Sequence, residues 1–466
     1  MLAENAFNLG IPVLGRMLRS GKTSSLELTE LALHRLQEHG TALNAVAALM
    51  RERAVAEARA ADKELKSGHD RGPLHGIPYG AKDLLDARGA PTEWGSFAHK
   101  GRVREQDAAV IKRLHSAGAV LVAKLAMVSL AGGGSYRYAS TSLTGPGRNP
   151  WNPGRWSGGS SSGSGAAVGG ALVPFAIGSE TWGSIVVPSS FCGVTGLRPT
   201  YGRVPRTGAM ALSWTLDKLG PIARSANDAS LVLAAIAGPD PADPSSVVGP
   251  FRHFARNRGP LRVGVLREDF SKGGDKAIEN AYNHALKVLS GAGMALKDTV
   301  LPDRPYGTVA AALVTIEGSA SFEGMITGPD LAKLNAPEQR AGFAAGLAMT
   351  GVDYLHAMRL REGCRNAIAR VFNDFDVLVA PSLMDVAPPI DANLDTWFSG
   401  GGGLLQAAGN CVGIPCMSVP MGYAKDALPC GLQFCAGAGD ERAMVEVARA
   451  FQQHTHWHKD LPTGLL

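Results

Sequence analysis

Apolar and polar positions along this chain follow two periods, and the elements they predict follow one another in a recognisable order. Between residues 23 and 69 the apolar positions recur at helical spacing. Ser24 or Ser25 is placed to cap a segment through Leu31, Leu33 and Leu36, and Asn44 to open another through Ala60 and Leu65. This predicts a helical N-terminal segment, residues 1–70, on the outside of the fold. The run Gly76-Ile77-Pro78-Tyr79-Gly80-Ala81-Lys82-Asp83 is short, apolar and bounded by Gly and Pro, which predicts a buried strand with Lys82 at its end. A helix over Ala108 to Ala117 then feeds a strand over Gly118 to Lys124, an alternation that favours a parallel sheet. Farther on, Leu261 to Leu266 predicts a strand, Ala277 to Leu289 a helix, Asp376 to Pro381 a buried strand and Asp440 to Gln453 a last helix. The expected fold class is α/β: a central mixed, largely parallel β-sheet covered by helices on both faces.

Composition changes that picture in one stretch. Residues 132–165 are so rich in Gly, Ser, Pro and Tyr that composition alone would make them a linker. They also hold Trp151, Arg155 and Trp156 and run into the apolar segment Ala166 to Leu172, which predicts an ordered loop leading into a helix. Pro239 to Pro250 carries turn signals and reads as a surface excursion. With 45% hydrophobic and 19% charged residues among 466, the chain has the makeup of one folded globular unit. The net charge of +5 is dispersed, without a Lys/Arg block that would track nucleic acid, so no nucleic-acid partner is expected. Six cysteines are too few for a disulfide scaffold, and none forms a C-x-x-C pair. No apolar run reaches the roughly 20 residues of a membrane-crossing helix. The opening Met1-Leu2-Ala3-Glu4-Asn5 has no leader pattern, so a cytoplasmic setting without a membrane is expected.

The candidate chemistry rests on two serines and a lysine. Ser160 and Ser184 lie twenty-four positions apart in a run built mainly of Gly, Ser and Ala. Acyl transfer needs a nucleophile, a base for its proton and donors for the developing oxyanion. A lysine, with a free pKa of about 10.4, serves as base near neutral pH only if its ammonium form is disfavoured by roughly 3 units, about 4–5 kcal/mol. Most lysines keep the ammonium in water. Lys82, between Pro78, Tyr79 and Ala81 on one side and Leu84 and Leu85 on the other, has the apolar surroundings that such a shift requires.

These segments closely resemble the amidase signature family of serine hydrolases. The likeness is carried by Gly158-Gly159-Ser160-Ser161-Ser162-Gly163-Ser164-Gly165, by Gly178-Ser179-Glu180-Thr181-Trp182-Gly183-Ser184-Ile185 and by Cys192 to Thr200. The segment Gly76 to Asp83 is similar to the family's Gly-x-Pro-x-x-x-Lys-Asp. Leu216 to Pro221, Asn410 to Pro420 and Trp457-His458 extend the resemblance over the whole chain, around a signature core at about 76–221. It implies a single amidase-signature domain, residues 1–466, that needs no cofactor. It also implies Ser184 as nucleophile and Ser160, after a cis peptide from Gly159, as relay to Lys82, with Ser161 in support. The backbone N–H groups of Thr181, Trp182, Gly183 and Ser184 would then form the oxyanion hole, where a tight turn aims successive amides at one spot.

Departures from the family pattern bear on the substrate. Where members usually read Thr-Asp-x-Gly-Gly-Ser-Ile-Arg, this chain has Ser179-Glu180-Thr181-Trp182-Gly183-Ser184-Ile185-Val186. Glu180 thus lacks the arginine an acid would meet there, and needs another partner or a more exposed position. Trp182 either lines the acyl pocket or braces the loop. Lys124 to Ser129 lacks the Asn and Glu often found after that lysine. Met127, Trp182 and Val186 are the candidate pocket residues, and the loss of polar groups predicts an uncharged apolar or aromatic substrate. A pocket-covering region is expected at about 300–405, with Phe322 to Met349 and Gly400 to Gly403 as its mobile part.

The expected activity is hydrolysis of a C–N acyl bond in a small-molecule amide, by a monomer or homodimer. The same steps also serve carbamates and esters. The alternative within the family is the glutaminase component of the tRNA-dependent amidotransferases, which the run from Thr195 to Gly208 followed by Leu216 to Pro221 resembles. That component releases ammonia from glutamine, a substrate needing polar, charged anchorage. A nucleotide-binding reading of Gly21-Lys22-Thr23 fails, because five residues instead of four separate Gly15 from Gly21. No metal site is expected: His75, His253 and His356 are scattered, and His454, His456 and His458 alternate near the chain end without a cysteine. Cys192 reads as a small buried residue.

Overall fold

Eleven strands make one sheet in the order β1-β3-β2-β4-β6-β5-β10-β11-β9-β7-β8. They are β1 (Val46–Leu49), β2 (Pro78–Lys82), β3 (Val120–Leu125), β4 (Phe175–Glu180), β5 (Thr195–Arg198), β6 (Lys218–Ala223), β7 (Arg262–Leu266), β8 (Ala295–Thr299), β9 (Val377–Pro381), β10 (Cys416–Tyr423) and β11 (Pro429–Ala436). The computed structural model describes residues 6–253, 260–267, 274–398 and 403–463. Strands β2 to β6, β9 and β11 are buried along their whole length, as in a sheet covered on both faces. Helix Ser162–Gly169, all eight residues of it buried, packs on β4 and β2, and helix Glu441–Gln453 on β10 and β11. Among the described residues no helix is long and apolar enough to cross a membrane.

The sheet is mixed, as the pattern predicts, but it is not largely parallel. Parallel pairing is confined to β3-β2-β4 on one flank and β9-β7-β8 on the other. Every pairing from β4 through the centre to β9, and the edge pair β1-β3, is antiparallel. The helix–strand alternation in the sequence belongs to the flanks, where Ala109–Ser116 and Lys276–Gly291 are the crossover helices that parallel neighbours require. The centre returns by shorter links, such as residues 424–428 between β10 and β11, and its Gly- and Pro-bearing strands carry no alternation from which direction can be read.

Near the N-terminus, Ser24 caps helix Ser25–Arg35: its Oγ accepts from Glu27 N at 3.1 Å, and Glu27 Oε2 accepts from Ser24 N at 2.8 Å, a reciprocal capping box. Asn44 does not open a helix. It sits in a left-handed turn at φ 50, its Nδ2 donates to Pro146 O at 2.9 Å, and β1 follows before helix Arg51–Lys66 begins. The short apolar run from Val46 to Leu49 suits either period, and pairing with β3 decides for strand. The Gly/Ser-rich stretch is an ordered loop in which Trp156 is buried against Phe191. It enters its helix at Ser162, four residues before the apolar segment begins.

Candidate active site

Three backbone segments converge at the C-terminal end of β2 and β4. Lys82 ends β2, Ser160 lies just before helix Ser162–Gly169, and Ser184 lies in the turn between β4 and helix Val186–Cys192. Lys82 Nζ donates to Ser160 Oγ at 2.7 Å, and Ser160 Oγ donates to Ser184 Oγ at 2.9 Å. A hydroxyl both donates and accepts, so the same chain of contacts runs from Ser184 to Lys82 when the amine is neutral. The peptide bond joining Gly159 to Ser160 is cis. A Cβ on Gly159 would lie 2.7 Å from the indole ring of Trp156, so no side chain fits there.

Lys82 is fully buried, and burial pushes its pKa down to about 7 against the pull of Asp217 and Glu180. Its second partner is Ser179, whose Oγ accepts from Nζ at 2.9 Å. The next residue, Asp83, anchors the end of β2: its N donates to Leu125 O at 2.9 Å, and its Oδ1 meets Lys124 Nζ at 2.8 Å in a buried pair. Ser161 braces the two serine-bearing segments, its N donating to Ser184 O and its Oγ to Ser179 O, at 3.3 and 3.2 Å.

The turn from Thr181 to Ser184 is held at both ends. Glu180 Oε2 accepts from the N–H groups of Ile185 and Val186 at 2.8 and 2.9 Å, so the carboxylate just before the turn holds the two residues that follow it. Its other oxygen accepts from Arg198 Nη1 at 2.7 Å and Asn410 Nδ2 at 2.8 Å. Burial pushes the Glu180 carboxyl up, but the charges of Arg198 and Lys218 outweigh it and hold the group at about 2. Glu180 is therefore not exposed: Arg198, twelve residues beyond Val186, supplies the missing positive charge. Inside the turn, Thr181 Oγ1 donates to Asp217 Oδ1 at 2.5 Å, and Lys218 Nζ, bonded to Asn410 Oδ1 at 2.9 Å, reaches Thr181 O at 3.4 Å. Gly183 takes φ 87, which favours glycine. Among the described residues, the N–H groups of Trp182, Gly183 and Ser184 donate no hydrogen bond.

A cavity of about 260 Å³ opens beside Gly159 and Trp182, walled by Tyr136, Trp156, Trp182, Val187, Leu383 and Phe398 with Gln406. Among the described residues its lining carries no charged side chain. Trp182 is 39% exposed and lines this cavity. Met127 and Val186, the other expected pocket residues, are buried in the two hydrophobic cores and do not line it. The side chains of Val186 and Val187 diverge at the start of their helix, and it is Val187 that reaches the cavity. Of the expected cover, Gly400 to Gly402 lie outside the described residues. Cys192 is buried, which pushes its thiol up, and its Sγ donates to Ser157 O. Sequence reasoning missed Ser179, Asp217, Arg198, Lys218 and Gln406. Ser179, Arg198, Asp217 and Lys218 do fall in segments that carry the resemblance, but nothing local assigns them a task.

A fold with this sheet and this serine–serine–lysine contact defines a class, and comparison with known proteins agrees: the chain belongs to the amidase family, whose model (Amidase) matches residues 27–445. The A-type subunit of the glutamyl-tRNA(Gln) amidotransferase of Methylococcus capsulatus is 36% identical over 470 residues, covering 95% of this chain and 96% of that protein. Among solved structures, the peptide amidase of Stenotrophomonas maltophilia is 32% identical with a TM-score of 0.82, covering 96% of this chain and 97% of that one. A structure from work on a vestigial protein complex and the origins of an s-triazine catabolic enzyme is 30% identical with a TM-score of 0.86, covering 95% and 98%. The chain is accordingly an amidase-family enzyme of the kind that breaks C–N bonds.

Proposed function

We propose that this enzyme hydrolyses small uncharged amides with an apolar or aryl group, through an acyl-enzyme on Ser184. Neutral Lys82 takes the proton of Ser160 as Ser160 takes that of Ser184, and Ser184 Oγ attacks the carbonyl carbon. The charge that develops on the carbonyl oxygen is met by the N–H groups of Thr181 to Ser184, with Gly159 and Ser161 fixing the serines. The proton then returns from Lys82 through Ser160 to the leaving nitrogen, the C–N bond breaks and the amine departs. Water repeats the sequence on the acyl-enzyme, giving up a proton by the same route, and the acid leaves as Ser184 regains its hydroxyl. Carbamates and esters are open to the same steps.

The observation that carries the substrate class is the cavity wall, aromatic and aliphatic and without a charged side chain to hold an α-amino or α-carboxylate group. The enzyme then works alone in the cytoplasm, as monomer or homodimer, with residues of the 300–405 region, Leu383 and Phe398 among them, covering the pocket. A second reading, the glutaminase component of a tRNA-dependent amidotransferase, is favoured by the curated relatives, which speak for it more than for the first. Turnover of the purified protein on aryl anilides, aliphatic amides, aryl carbamates, esters and glutamine, with Ser184→Ala as blank, separates them. Release from aryl amides supports the first reading; activity on glutamine alone, or only with added partner proteins, replaces it with the second.

A further inference from the structure

One side chain at the cavity is unlike its neighbours. Gln406, in the first turn of helix Leu404–Val412, is 4% exposed and lines a wall otherwise built of aromatic and aliphatic groups. Its Oε1 is buried and accepts no hydrogen bond among the described residues. The indole Nε1 of Trp156, in the same wall, is likewise buried and unpaired, so the two do not satisfy each other. The carboxamide rests directly on the candidate oxyanion turn: a Cβ on Gly183 would lie 2.2 Å from Gln406 Nε2, leaving nothing between this amide and the residue before Ser184. A buried carbonyl oxygen without a donor is unfavourable, and a group entering the cavity with an N–H would match it.

We propose that Gln406 is a specificity-determining residue whose carboxamide oxygen accepts the N–H of the substrate's scissile amide or carbamate group. An ester of the same shape presents an oxygen lone pair where the amide presents that N–H, so Gln406 favours amides over isosteric esters. A site built to bond a substrate N–H discriminates strongly against the analogue that lacks it, because its own polar group is then left unpaired. The inference rests on the acyl-transfer reading and adds the leaving-group chemistry to it.

The test is the ratio of kcat/KM for a 4-nitroanilide to that for the 4-nitrophenyl ester of the same acid, measured on wild type, Gln406→Met and Gln406→Glu. Both substrates are assayed on one preparation, so the ratio does not depend on how much of a variant is folded. Gln406→Met is expected to lower it about 10- to 100-fold, the effect of one lost hydrogen bond in a dry site. Gln406→Glu, which keeps an acceptor oxygen, is expected to hold it within about threefold of wild type. A ratio unchanged in Gln406→Met, or lowered equally in both variants, overturns the assignment of Gln406 alone. Absence of Ser184-dependent turnover of either substrate by wild type removes the acyl-transfer reading and this inference with it.

Discussion

Among the described residues Lys82 meets two hydroxyls and no carboxylate, and that difference governs its chemistry. A lysine facing Asp or Glu at hydrogen-bond distance would be held as ammonium; here Asp217 and Glu180 act only through space, and burial wins, bringing the amine to about 7. Because the base must be neutral to accept a proton, kcat/KM is expected to rise about tenfold per pH unit below pH 7 and to level off above it. A profile flat through that range would rule out an amine that titrates there. Lys82→Met is expected to abolish most turnover and to stabilise the protein. The folded pKa lies below the unfolded value of 10.5, so the cost of burying the ammonium is full at and below pH 7 and fades as pH rises toward 10.5. Urea unfolding at pH 7 should show the variant about 1–3 kcal/mol more stable, the rest of the relief being offset by the bonds lost to Ser160 and Ser179, with the gain shrinking near pH 10. The three central residues were legible because each stands in a contiguous motif. Their support was not: the partner of Thr181 lies 36 residues away and that of Asn410 lies 230 away, separations that no local pattern spans.

At the scale of elements, the turn joining β4 to helix Val186–Cys192 depends on one carboxylate used from both sides. Glu180 holds the amides of Ile185 and Val186 with one oxygen and Arg198 and Asn410 with the other. Glu180→Gln keeps the shape but offers one acceptor oxygen in place of two and leaves the buried Arg198 guanidinium without a counter-charge. The expected cost is about 3–5 kcal/mol of stability, read by denaturant unfolding. A loss below about 1 kcal/mol would mean that the turn is held by other contacts. The turn also has no room for a side chain at Gly183, where φ is 87 and Gln406 lies against the backbone. Gly183→Ala should therefore displace the amides beside Ser184 and lower kcat about 10²- to 10³-fold, the scale of losing one oxyanion donor. A KM change alone would argue that these amides are not used in the transition state. Sequence comparison at positions 180 and 186 left open whether Glu180 has another partner or is exposed, because Arg198 reaches Glu180 only once β5 is in the sheet.

Across the whole molecule, the sheet makes one unit of two halves of the chain. Strands β1 to β6 come from the first half and β7 to β11 from the second, and they meet where β5 pairs with β10. Of the flanking strands β2, β3, β7 and β9 were legible, as short apolar runs; β8, which carries Lys297 and Asp298 and is largely exposed, was not, nor was the antiparallel centre, where direction is set by partners distant in sequence. The halves are joined a second time inside the site. Asn410, from the second half, donates to Glu180 and accepts from Lys218, and so closes the buried polar cluster behind the turn. Asn410→Leu removes both bonds at once. It leaves Lys218, whose pKa burial and the charge of Arg198 already lower, with Thr181 O as its one remaining hydrogen-bond acceptor among the described residues. The expected result is a loss of about 2–4 kcal/mol together with a fall in kcat, since Lys218 is one of the anchors of the turn. The loss should appear as a shift of one cooperative transition, with far-UV circular dichroism and tryptophan fluorescence coinciding, because five of the seven tryptophans lie before β7 while the mutated residue lies after it. If fluorescence, reporting mainly on the first half, kept its midpoint while the dichroism shifted, the two halves would be separable and the joint at Asn410 would not couple them.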